Sequence, residues 1–187
     1  MKKVLTGVLL CTALACFFSC GDGSEKDSKE VAKDENNQKF DSTNIEGDTK
    51  FAVALADGSM FEVEASKLAA TNASAANVKD FAKMMVTDHS GANAELKDLA
   101  AKKNISLPMT LSEAKQKKYN ELAAKKGVDF DNAYVDCMVD EHKDAVDALQ
   151  KEADKGNDAD LRSWATGKLA TIQHHLEVIK SIKDGKK

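Results

Sequence analysis

The chain predicts an all-α fold: four long helices in a bundle, with one short extra helix in the crossover between the second and third. Three observations carry this. From Thr49 onward Ala, Lys, Glu, Asp and Leu dominate and Pro108 is the single proline, so most positions accept a helix at little cost. Val78, Ala82, Met85, His89, Ala92, Leu96 and Leu99 recur at alternating spacings of four and three, the seam of a helix packed against neighbours. Stretches rich in Asn, Gly or Pro punctuate the pattern at helix-length intervals.

The elements follow in order. Lys2 and Lys3 precede an apolar, small-residue run from Val4 to Ser19, and Phe17-Phe18-Ser19-Cys20-Gly21 has the form of a bacterial lipoprotein cleavage site. Residues 1–19 are therefore expected to be a signal peptide, too short to span a bilayer. Cys20 is the expected lipidation site; two acyl chains there would anchor the protein stably, since each buried methylene adds roughly 0.8 kcal/mol. The alternative is an ordinary secretory signal cut near Thr12-Ala13-Leu14-Ala15-Cys16.

Residues 20–48 are expected to be a lipidated cysteine and a disordered tether, because Val31, Ala32, Phe40 and Ile45 are the main apolar relief after Gly21. Such a tether would hold the domain about 30 Å off the membrane. The helical domain is expected over residues 49–187.

In the first helix Leu55, Gly58, Glu62, Ala65 and Ala69 share a line, and Asn72 to Asn77 is a turn. The second helix ends at Asn104 to Thr110, around Pro108. Thr110-Leu111-Ser112-Glu113 fits a capping box that opens the short helix, which stops near Gly127. The third helix starts about Asp129 and ends at Lys155-Gly156-Asn157, with the glycine a C-cap favours; the fourth runs from Asp158 to Asp184.

The chain has four histidines. His89 lies in the second-helix seam, His142 follows Tyr134 and Met138 and precedes Ala145 and Leu149, and His175 lies between Ile172 and Ile179. His174 falls off the stripe. With Glu62, each long helix thus brings one metal-competent side chain to its apolar face, which is how bundles assemble metal sites. Glu62, His89, His142 and His175 form the candidate ligand set, with Met85, Tyr134 and Met138 as further ligands or neighbours. The competing reading is a metal-free hydrogen-bonded network, because buried polar groups need partners. Met85 and Met138 share the faces of His89 and His142 but read first as adaptable core filling. Cys11 and Cys16 fall in the signal and Cys20 is the expected lipid site, which leaves Cys137 alone, so no internal disulfide is available.

Other classes find little support. The net charge is −4 and the lysine clusters lack interleaved aromatics, so nucleic acid is not an expected partner. No nucleophile elbow, phosphate loop or zinc-protease motif is present.

Phe51 to Ala56, Phe61-Glu62-Val63-Glu64, Val78 through His89, Phe130 to Tyr134 leading to His142, and His175-Leu176-Glu177 together resemble the domain of unknown function 4142 family. The resemblance implies a ferritin-like four-helix bundle in an exported bacterial protein and puts Glu62, His89, His142 and His175 on recurrent polar positions, with Asp88 and Asp136 beside them. It implies no reaction. Di-iron bundles of ferritin type use Glu-x-x-His pairs, whereas Val86, Val139 and Ile172 precede the histidines here, so zinc, copper or a single iron suits the site better.

The resulting expectation is a lipid-anchored envelope protein, on the outer membrane facing the periplasm or the surface, that binds a transition metal for buffering, delivery or sensing. The alternative is a structural or envelope-stress module with a metal-free core and a protein partner. An enzyme is the least supported reading; Glu62 and Tyr134 are its only evident acid or base.

Overall fold

The structure is a computed structural model and describes residues 26–185. The expected signal peptide and Cys20 lie outside the described residues. Six helices and no strand occur among those described: α1 Ser28–Phe40, α2 Glu46–Asn72, α3 Ala76–Lys102, α4 Glu113–Ala123, α5 Gly127–Lys155 and α6 Ala159–Asp184. The four long helices pack in a ring, α2 against α3 and α5, and α6 against α5 and α3. Short α1 and α4 lie outside the ring on α2, with α4 also reaching α5. None of the helices is long and apolar enough to cross a membrane.

Helix α1 corrects the expectation of an unstructured tether, since it occupies residues 28–40. Hydropathy could not reveal it because polar contacts hold it. Asp27 caps it, accepting from the Lys29 and Glu30 amides at 2.8 and 3.3 Å. Asn36 is buried and exchanges two 2.8 Å hydrogen bonds with the Ser106 backbone. Lys29 donates to the buried carboxylate of Asp57 at 3.0 Å. These bonds satisfy the orphan groups of a helix end and of the loop after α3.

Three buried aspartates staple the connections. Asp57 accepts from both the amide and the hydroxyl of Ser112 at 2.9 Å. Asp131 accepts from the Ser74 and Ala75 amides at 3.0 and 2.9 Å, at the entrance to α3. Asp48 accepts from the Asn157 amide at 2.9 Å and from Asp158, at the entrance to α6. Each carboxylate faces a helix N-terminus, where the macrodipole favours it.

Two caps differ from expectation. Ser112 caps α4, accepting from the Lys115 amide at 3.3 Å; Thr110 instead donates its amide to Ser28, so the Thr110–Glu113 box does not form. Gly156 follows α5 with φ −60° and ψ 146°, outside the left-handed region. A side chain there would come within 2.7 Å of the Glu152 carbonyl oxygen, so close approach requires the glycine. The left-handed stop falls at Asn104 (φ 58°), where the Ile105 and Asn104 amides reach the Ala100 and Ala101 carbonyls at 2.9 and 3.2 Å, a Schellman motif.

The core divides along the ring. Phe61, Phe81, Met85, Phe130, Tyr134, Met138 and Ile179 fill one end, and Ala52, Leu96, Leu149, Leu161 and Ile172 the other. On α3, α5 and α6 alike, the histidine sits between residues of the two ends. A polar layer therefore crosses an otherwise apolar interior.

Candidate metal centre

The histidines sit where helical periodicity predicts. His89, His142 and His175 are respectively 2%, 0% and 0% exposed, and His174 is exposed. Each of the three buried rings offers a nitrogen within 4.8 Å of the others', the one such group of His, Cys, Asp or Glu among the described residues. Their ring centroids stand 5.4 to 5.7 Å apart.

Each imidazole is held from behind. The Nδ1 of His142 lies 2.9 Å from the Met138 carbonyl oxygen; a carbonyl only accepts, so Nδ1 carries the proton and Nε2 is bare. His175 presents Nε2 to Asp88 Oδ2 at 2.9 Å, which leaves its Nδ1 facing inward. His89 presents Nδ1 to Glu62 Oε2 at 3.0 Å and to the Ser59 hydroxyl at 3.1 Å, and its Nε2 stands 3.3 Å from His175 Nδ1. Carboxylate or carbonyl behind, bare nitrogen in front, is the arrangement that orients histidine ligands toward a metal.

The electrostatics match these tautomers. Burial pushes the Glu62 carboxyl up, but His89 and His142 overcome it and hold it down at about 2. Burial lowers His89, yet the Glu62 carboxylate more than compensates and the imidazole is raised. Burial lowers His142 and His175. Glu62 thus favours the charged form of His89, while burial favours the neutral form of His175 on its other side. His89, His142 and His175 would hold a cation through one imidazole nitrogen each, and binding would then be coupled to loss of any proton on those nitrogens.

Two atoms of the cluster are left over. His142 Nε2 is buried and has no hydrogen-bond partner among the described residues, and Glu62 Oε1 is in the same state. That oxygen stands 3.3 Å from His142 Nδ1, so Glu62 backs two of the three rings, and the converging group is made by the histidines. An unpaired buried acceptor costs about 1–3 kcal/mol. A metal ion at the triad would remove that cost for Nε2, and the residues present fit such an ion.

The remaining predicted residues separate. Asp88 is at the site, behind His175. Met85 and Met138 are fully buried core residues, and the Met138 carbonyl accepts from His142 Nδ1. Tyr134 stacks on Phe130 and shares a 2.7 Å hydrogen bond with Ser66, and burial raises its phenol. Asp136 faces outward and pairs with Lys183 at 2.9 Å, away from the cluster. Burial pushes the half-buried Cys137 thiol up to about 12, which keeps it protonated and a poor ligand. Sequence reasoning missed Ser59, three residues before Glu62 and so on its face of α2, and Phe81, whose ring lies 6.1 and 6.4 Å from His142 and His175.

The chain belongs to the DUF4142 family, a domain of unknown function whose profile matches residues 33–182. The match begins inside α1, in keeping with that helix being part of the domain. Neither a curated protein nor a solved structure matches the chain.

Proposed function

We propose that this protein is a lipid-anchored envelope protein whose ring of four long helices is a ferritin-like bundle that binds one transition metal ion at His89, His142 and His175. Glu62 and Asp88 orient the first and third of these, and the Met138 carbonyl orients His142. The observation that carries the reading is the bare, buried, unpartnered Nε2 of His142 within reach of two other imidazoles. Neutral imidazole donors suit zinc, copper or mononuclear iron, and the lack of bridging carboxylates argues against a di-iron centre. With Tyr134 engaged with Ser66, buffering, delivery or sensing fits better than catalysis. The lipid anchor rests on the Cys20 motif, and the outer-membrane location on the family resemblance.

The second reading, a metal-free network in a protein-interaction module, draws on the His89–Glu62 ion pair, which satisfies part of the layer by itself. Titration of the full chain with Co(II), followed by its visible absorption, separates the two. A saturating signal at one equivalent that His142→Ala abolishes, with far-ultraviolet dichroism unchanged, is the expected result. No Co(II) signal from the parent favours the network.

A further inference from the structure

The histidines and Glu62 are almost wholly buried, so a metal can reach them only if some wall of the ring opens. The α3–α6 wall is the sparsest of the four, and α4 covers the seam between α2 and α5. On the α3–α6 wall a surface depression runs along Asp88, Gly91, Glu95 and Thr171. Behind it lies a small cavity, with room for about one water, that touches His89, Glu62 and Ser59. Ala92, Lys168 and Ile172 line both. They are the partition between the surface and the polar layer.

Two further contacts mark this place. Asp88 touches both sides, its Oδ2 2.9 Å from His175 and its side chain 37% exposed. Above the partition, Lys168 pairs with Glu95 at 2.5 Å and Trp164 donates its indole N–H to the same carboxylate at 3.2 Å. This fastening joins α6 to α3, and its ion pair is partly solvated, so it holds weakly.

We infer that metal enters and leaves through the α3–α6 wall past Ala92 and Ile172, with the Glu95–Lys168–Trp164 contact as a latch that sets the exchange rate. This rests on the metal-binding reading. A latch on the path changes association and dissociation together and leaves their ratio alone, whereas a residue of the site changes the ratio.

The test is stopped-flow association of Co(II) with the full chain, dissociation into excess chelator, and an independent equilibrium Kd. Glu95→Gln opens the latch and raises both rate constants by the same factor. Gly91→Leu fills the depression; a Cβ at Gly91 meets nothing within 4 Å, so the helix accommodates it. It lowers both rate constants about tenfold, which corresponds to roughly 1.4 kcal/mol in the barrier. Thr171→Leu fills the depression from the α6 side and repeats the result. In all three variants Kd stays within about twofold, a few tenths of a kcal/mol. Co(II) bound with rate constants unchanged in all three variants overturns the doorway and leaves the metal site standing. A change confined to dissociation, with Kd moving alongside, overturns it too. A parent that binds no Co(II) removes both proposals.

Discussion

At the residue scale the arrangement turns on what stands behind each imidazole. Three different groups, the Glu62 carboxylate, the Asp88 carboxylate and the Met138 carbonyl, each hold an outward N–H of one ring. Glu62→Gln and Asp88→Asn keep size but remove charge, and each is expected to weaken metal binding by about 10–100-fold without loss of helix. Glu62→Gln should have the larger effect because Glu62 reaches two rings. Competition titration against a chelator of known affinity measures both, and unchanged affinity in both variants contradicts the orienting role. The sequence reveals which side chains share the layer, because a period of 3.6 places His89, His142 and His175 on buried faces. It does not reveal that Glu62 meets the Nδ1 atoms, because spacing fixes a face of a helix and not the rotation of a ring.

At the scale of elements, the caps and staples decide what the long helices can do. Asp57 is fully buried and joins α2 to the start of α4 and to Lys29 of α1. Asp57→Ala leaves the Ser112 amide without its acceptor and is expected to destabilise the fold by about 3 kcal/mol. A urea melt checks this, and a midpoint shift equivalent to less than about 0.5 kcal/mol contradicts it. The same polar logic explains why α1 was illegible: Ala32 is the one apolar side chain it buries, whereas α3 and α5 bury whole stripes. Glu152 gives a pH test. Burial, then the carboxylates of Asp48 and Asp158, push its carboxyl up to about 7 from an ordinary 4.5. Between those values the folded state holds more protons than the unfolded, so stability falls as pH rises through the window. Glu152→Gln should flatten that fall and stabilise the protein at pH 8 by about 1–2 kcal/mol, discounted for nearby solvent. Thermal melts at pH 5 and 8 with equal spacing in parent and variant contradict this.

At the scale of the whole molecule, the sequence shows its all-helical class plainly, because composition and periodicity agree over more than a hundred residues. The domain start is less legible: a helix packed on α2 begins at Ser28, and the family match begins at residue 33. A fragment beginning at Thr49 would lose α1 and the opening of α2, so the full chain is the proper material for any assay.

The most direct test is elemental analysis of the full chain, purified without chelator, beside a His89, His142, His175 triple-alanine variant of equal helix content. One equivalent of a transition metal in the parent and none in the variant is the predicted result. A folded parent that stays free of metal, even after incubation with Zn(II), Cu(I) and Fe(II), would contradict it.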